Sequence, residues 1–305
     1  MNSKTKILFD FVKHRKTFYI ISLLVCIVGA VVLSVSGLNY GVEFRAGTSM
    51  DISAGQAMDK AKAEELLKSV GVEAGVMTLG GDNNNRLSMR FNDILPEATQ
   101  KQIQEKFKAT YGNGVSQEVN TVTPDMALEL RNKALIAIGV ASLAICLYVT
   151  IRFEWRFAIA SIIAILHDAF LVISVFAIFR LEVNLPFMAA VLTTIGYSIN
   201  DKIVVFDRVR ENLRFAKLKT PDDLASLLND SIWQTMTRNI NTVLTVLIAA
   251  VCLLILGSPS IQLFALAKIV GLTSGAYSSI FIAGPLWYDL KSKSIDSKKS
   301  SAAKA

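Results

Sequence analysis

Apolar residues fall along the chain in six runs, near 17–36, 134–151, 157–179, 186–206, 239–256 and 261–287, with polar segments between them. Each run reaches the roughly 17–25 residues that a helix needs to cross a bilayer, and tilt absorbs the excess of the last. The pattern predicts six transmembrane helices. The first run reads as a retained anchor, because its apolar stretch exceeds the roughly 7–15 residues of a signal-peptide core. Only Ser34-Val35-Ser36 hints at a cleavage site.

The polar segment 37–133 carries a different pattern. Strands are predicted at 49–53, 72–79, 86–91 and 115–122, and helices at 57–69 and 96–111, with a turn at Gly80-Gly81-Asp82-Asn83-Asn84-Asn85. Pro96 suits a first-turn position. The order βαββαβ predicts a small ferredoxin-like α+β domain. It contains no nucleophile–base pair, metal cluster or phosphate loop, so it reads as a module that binds a partner or transmits motion.

Composition agrees with a membrane protein. The 305 residues are 52% hydrophobic, and the mean hydropathy is +0.44. Cys26, Cys146 and Cys252 all fall within apolar runs, and His14 and His167 are the only histidines. A disulfide framework, a histidine metal site and a cofactor are therefore not expected, and nothing points to an enzyme. The net charge of +7 matters less than its distribution. Lysine and arginine crowd the N-terminal tail (Lys4, Lys6, Lys13, Arg15, Lys16), the loops with Arg152 and Arg156 and with Arg208 to Arg238 (including Lys217 and Lys219), and the C-terminal tail (Lys291 to Lys304). By the positive-inside rule both termini are cytoplasmic. The expected organisation is a cytoplasmic tail at 1–16, a first span at 17–36 and an extracytoplasmic domain at 37–133. Spans two to six then occupy 134–287, with an amphipathic cytoplasmic loop at 207–238, and a basic tail follows at 288–305.

The chemistry lies inside the apolar runs. In the fourth, Thr194, Tyr197, Ser198 and Asp201 recur at helical spacing, with Gly196 and Asn200 beside them. At the start of the fifth, Arg238, Asn241, Thr242 and Thr245 follow the same spacing. Packing of the two helices would bring Arg238 near Asp201. Charged groups at membrane depth cost roughly 2.5 kcal/mol or more and usually line a water path or face a partner. The pair reads either as a proton-coupling site or as a static ion pair between helices. His167-Asp168 in the third run reads equally as a relay or as helix-packing hydrogen bonders. Lys202 is expected to snorkel to the cytoplasmic surface and Lys268 to the outer face. Gly271 and Gly275 form a GxxxG match that predicts close helix packing. Thr220-Pro221-Asp222-Asp223 reads as a helix start, and Leu224, Leu227, Leu228 and Ile232 as the apolar stripe of a helix lying on the membrane surface.

Several stretches resemble the SecF branch of the SecD/SecF protein-export family. They are Leu166-His167-Asp168, Leu181-Glu182-Val183-Asn184-Leu185, Ile195 to Asp201, Val204 to Asn212, Gln234-Thr235 with Arg238, and Tyr277 to Ala283. The loop Gly41-Val42-Glu43-Phe44-Arg45-Ala46-Gly47 resembles the family's glycine motif, with Glu43 and Ala46 where Asp and Gly are usual. Lys202 stands where a small hydroxyl residue is usual. The resemblance implies a multi-pass protein of the bacterial inner membrane, in the resistance-nodulation-division superfamily. It implies that the protein works with a SecD-like subunit and the Sec channel and uses the proton-motive force to promote translocation of preproteins. Asp201 and Arg238 match the family's proton-linked pair. The residues alone leave two other readings open: a proton-driven transporter of small molecules or lipids, and a passive scaffold.

Overall fold

The computed structural model describes residues 9–302 apart from 217 and 219, so Lys4, Lys6, Lys217, Lys219 and Lys304 of the charge count lie outside the described residues. The chain opens with helix α1 (Arg15–Ser36), strand β1 (Asn39–Tyr40) and a one-turn helix α2 (Val42–Arg45). A sheet domain follows: β2 (Gly47–Ser53), α3 (Lys60–Ser69), β3 (Val76–Gly80), β4 (Arg86–Phe91), α4 (Glu97–Tyr111) and β5 (Ser116–Val122). The rest is helical apart from one short strand: α5 (Pro124–Arg152), α6 (Trp155–Ile178), β6 (Glu182–Val183), α7 (Leu185–Phe215), α8 (Pro221–Leu256), α9 (Pro259–Ser278) and α10 (Gly284–Ala302). A π-helical segment, Ser279–Ala283, joins α9 to α10.

Among the described residues, five helical stretches are long and apolar enough to cross a membrane: α1, α5, α6, α8, and α9 running into α10 as Ser260–Lys293. The remaining expected run, the fourth, lies in α7, whose 31 residues span about 46 Å at 1.5 Å per residue. Asn200, Asp201 and Lys202 interrupt its apolar character, which leaves it off that set. The helix starts where the chain dictates. Asn184 accepts the Phe187 N–H at 2.9 Å, and Pro186 sits in the first turn, where a missing N–H costs nothing.

The segment 207–238 departs from expectation. It is not a separate helix on a membrane surface but the end of α7 and the first half of α8. A capping box between Thr220 and Asp223 starts α8, whose 36 residues hold no glycine and no proline beyond Pro221 in the first turn. Its stripe of Leu224, Leu228 and Ile232 is buried against the protein, facing Phe11, Val12 and the start of α10.

The four longer strands form an antiparallel sheet in the order β3-β4-β2-β5, so the two strands flanking α3 are separated by β4. Register pairs Met50 with Met89 on one side and with Val119 on the other. Alternation then sends Met50, Ile52, Leu87 and Met89 to one face, where α3 and α4 cover them with Ala63, Leu67, Ile103 and Phe107. The expected strands and helices are present, with ends shifted by a few residues; the largest shift moves the start of β3 from 72 to 76.

Two joints connect the sheet to the helices. At one, β5 passes into α5 through Thr123 alone, whose hydroxyl caps the Met126 N–H while Pro124 opens the helix. At the other, β1 pairs in parallel with β6, and Arg180 donates to the carbonyls of Ser36 (2.7 Å) and Gly37 (3.0 Å). Arg90 of β4 forms an ion pair there with Glu182 of β6. Burial pulls the Arg90 guanidinium below its ordinary value, against the opposing charges of Glu43 and Asp51. At the far end, Phe11 N–H donates to Asn229, and Asn229 donates to Asp10, tying the N-terminal segment to α8. Arg15 pairs with Asp289 of α10 at 2.8 Å.

Two substitutions test this packing. Ala46 has φ 72° and ψ 159°, a region that essentially only glycine occupies at no cost. Ala46→Gly is expected to stabilise the protein by about 1 kcal/mol, read as a higher Tm in detergent. A Cβ on Gly271 would overlap the Thr194 side chain, whereas one on Gly275 would lie 3.4 Å from Ser198 Cα. Gly271→Ala is expected to cost about 1–3 kcal/mol and Gly275→Ala less, in the same measurement.

Candidate functional site in the helical bundle

Helices α6, α7 and α9 meet at Asp168. The small residues of α9 permit this: with Gly271 against Thr194 and Gly275 against Ser198, the backbones of α7 and α9 come close. Ser274 and Ser278 then lie one turn apart on the face that looks at α6 and α7. Asp168 has no exposed surface. Its Oδ1 accepts hydrogen bonds from Ser274 Oγ (2.6 Å) and, with the proton on that ring nitrogen, from His167 Nδ1 (3.1 Å). Its Oδ2 accepts from Ser198 Oγ (2.6 Å), Ser278 Oγ (2.6 Å) and Lys202 Nζ (3.0 Å). These five donors, from three helices, satisfy an ionised carboxylate.

Lys202 is therefore not a snorkelling side chain. It is fully buried, and its ammonium reaches Asp168, Ser198 Oγ (2.6 Å) and Ser278 Oγ (2.9 Å). An interior carboxylate sets its direction more strongly than the distant end of the bundle does. Lys268 departs from expectation too. It is 6% exposed, and its ammonium lies 4.1 Å over the Tyr197 ring without a hydrogen-bond partner among the described residues. The aromatic face gives the cation a local partner that replaces the path to the surface.

The expected stripe on α7 divides. Thr194, Ser198 and Asp201 are buried, whereas Tyr197 and Asn200 face outward. Asp201 is 6% exposed and makes no hydrogen bond or ion pair with any described residue. Arg238 is exposed and forms no ion pair among the described residues, so the expected contact between Asp201 and Arg238 is not made in this conformation. Arg238 instead shares a cleft of ≈ 390 Å³ between α7 and α8 with Asn200, Asp207 and Glu211. Thr242 turns back to donate to the Arg238 carbonyl at 2.9 Å, and Asn241 faces outward. The site thus contains two acids in opposite situations, Asp168 saturated with donors and Asp201 bare.

Sequence reasoning missed the ligand roles of Lys202, Ser274 and Ser278. The hydroxyls carried a signal, since Gly271, Ser274, Gly275 and Ser278 share one helix face at spacings of three and four.

The model for the protein export membrane protein SecD/SecF, C-terminal, matches residues 102–293. The model for the SecD/SecF GG motif matches residues 31–58, the stretch that contains Ala46 and Gly47. The chain is 41% identical over 290 residues to the protein translocase subunit SecF of Alicyclobacillus acidocaldarius, covering 94% of each. It is 42% identical to the protein translocase subunit SecDF of Bacillus subtilis, covering 96% of this chain and 39% of that one. The crystal structure of SecDF from Thermus thermophilus, titled a translocon-associated membrane protein, superposes with a TM-score of 0.80 at 33% identity, over 94% of this chain and 39% of that one. By the extent of these matches, the chain belongs to the SecD/SecF family of protein-export membrane proteins.

Proposed function

We propose that the protein uses the proton-motive force to promote late steps of protein translocation across the bacterial inner membrane, as the SecF-type part of an assembly with a SecD-like subunit and the Sec channel. The observation that carries the proton reading is Asp201, buried at membrane depth without a hydrogen bond or ion pair among the described residues, next to the fully partnered Asp168. An acid so placed can take up and lose a proton without dismantling a hydrogen-bond network. In the proposed cycle Arg238, which here lines the α7–α8 cleft without touching Asp201, is the cation that biases its charge once the two helices shift, and Thr194, Tyr197, Ser198, Asn200, Asn241 and Thr242 form the polar surroundings. Asp168, with His167 and Lys202, supplies the fixed charges against which Asp201 works.

In this reading α7 is also a span, the fourth of six, the sheet domain is ferredoxin-like and extracytoplasmic, and both termini are cytoplasmic. The strand order β3-β4-β2-β5 and the placement of lysine and arginine support that assignment. The relatives in which this region makes up 39% of a SecDF chain support a SecD-like partner. So does the outward polar face of α7 and α8, where Asn200 and Asn241 are exposed at a depth that lipid would leave unsatisfied. One charge crossing about 100 mV supplies about 2.3 kcal/mol, enough to shift a two-state equilibrium about fiftyfold.

The test is export of a secreted precursor in cells depleted of the native protein and supplied with Asp201→Asn or Arg238→Met, with membrane abundance measured by immunoblot. Both variants are expected to accumulate precursor to the level of the depleted cells while reaching native abundance. Normal export with both variants at that abundance would refute the proton assignment. A strain in which depletion itself leaves export intact would refute the export reading and favour transport of another solute.

A further inference from the structure

The polar geometry around Lys202 Nζ is that of a bound cation. Four oxygens surround it: Asp168 Oδ2 at 3.0 Å, Ser198 Oγ at 2.6 Å, Ser278 Oγ at 2.9 Å and the Ser198 carbonyl at 3.3 Å. Both hydroxyls spend their protons on Asp168 Oδ2, each at 2.6 Å. Their lone pairs therefore point at the ammonium, and the cage presents only acceptors to that point. One carboxylate, two hydroxyls and one main-chain carbonyl make a hard-oxygen donor set with a single negative charge, the kind that suits a small monovalent cation. The Asp168 and Lys202 side chains are 1% and 0% exposed, so no bulk water competes for the position.

We infer that this cage is a monovalent-cation site which the chain fills from within with the Lys202 ammonium. Removing a partner from a buried ion pair leaves a strongly unfavourable lone charge. Loss of the lysine charge would leave Asp168 inside a preformed shell of oxygens, and a free sodium, potassium or alkylammonium ion is the occupant that restores the balance. Sodium would draw the oxygens inward, whereas potassium and methylammonium fit near the observed distances.

The test uses the full-length protein purified in detergent. Lys202→Ala removes the charge and leaves room for a free ion, and Lys202→Met fills the same space without charge. Thermal unfolding is followed in sodium, potassium or methylammonium chloride against choline chloride, whose cation is too bulky for the cage, at matched ionic strength. Lys202→Ala is expected to be less stable than the native protein in choline and to gain a saturable rise in Tm with at least one small cation. The native protein, Lys202→Met and the double variant Asp168→Asn/Lys202→Ala are expected to show no such rise. A Tm of Lys202→Ala that ignores the identity of the cation overturns the inference, as does an equal rise in the double variant. If Lys202→Ala cannot be recovered in choline, its recovery in each cation is compared, with Lys202→Ser as a second variant. Recovery only with a small cation supports the site, and failure of both variants in every cation overturns it. The readout is binding, so its outcome is independent of the export experiment.

Discussion

The ion pair between Asp168 and Lys202 is the constraint around which the bundle is arranged. Neither charge is tolerable alone in a region of low dielectric, and the pair is tolerable only when its remaining hydrogen-bonding capacity is satisfied. That demand falls on three helices at once. Helix α6 brings the carboxylate, α7 the ammonium and Ser198, and α9 Ser274 and Ser278. Side chains as short as serine reach one carboxylate from two helices only if the backbones nearly touch, which explains Gly271 opposite Thr194 and Gly275 opposite Ser198. Packing and electrostatics therefore specify one arrangement jointly: larger residues on α9 would pull the hydroxyls away, and loss of the charges would remove the reason for a close approach.

The same constraint determines the state of Asp201. Consecutive residues on an α-helix point about 100° apart, so once Lys202 is aimed at Asp168, Asp201 must look elsewhere. It stays buried but outside the ring of donors, whereas Asp168 takes five. Two carboxylates of the same type thus sit in different surroundings, one tied into a hydrogen-bond network and one outside it. Lys268, stacked on Tyr197, adds a second buried cation beside α7, at a different position around the helix from Lys202.

The parts of this arrangement that could be read in the sequence are those that depend on neighbours along the chain. The apolar runs, the alternating strands, the capping box at Thr220 and the glycine spacing in α9 are local patterns, and the corresponding elements form. The partner of Lys202 is not local: Asp168 lies 34 residues before it and Ser278 lies 76 after it. A lysine near the end of an apolar run looks like a snorkelling residue until the opposing carboxylate is placed. Residues 221–238 failed for a related reason. An apolar stripe at helical spacing specifies a buried face but not whether lipid or protein buries it, and here Phe11, Val12 and α10 do so. Likewise, the expectation that Arg238 meets Asp201 assumed that the two polar stripes face each other, whereas Arg238 turns into the cleft beside Asn200.

How the bundle holds the sheet domain follows from the two joints. The first is covalent and stiff: a single residue, Thr123, separates β5 from α5, and its cap together with Pro124 fixes the start of the helix. The second is assembled from contacts across the chain, the two-residue β1–β6 pairing, the Arg180 bonds to Ser36 and Gly37, and the Arg90–Glu182 ion pair. Only Asn184 separates β6 from α7, so this second joint is attached directly to the helix that carries both Asp201 and Lys202. Opening the first joint would require melting a helix end. Opening the second requires the exchange of a few hydrogen bonds and one ion pair where the sheet meets the helices, and there a ≈ 380 Å³ cavity already lies against Arg90 and Glu182. Of the two, it is the joint that can open without unwinding a helix, and it is attached to α7.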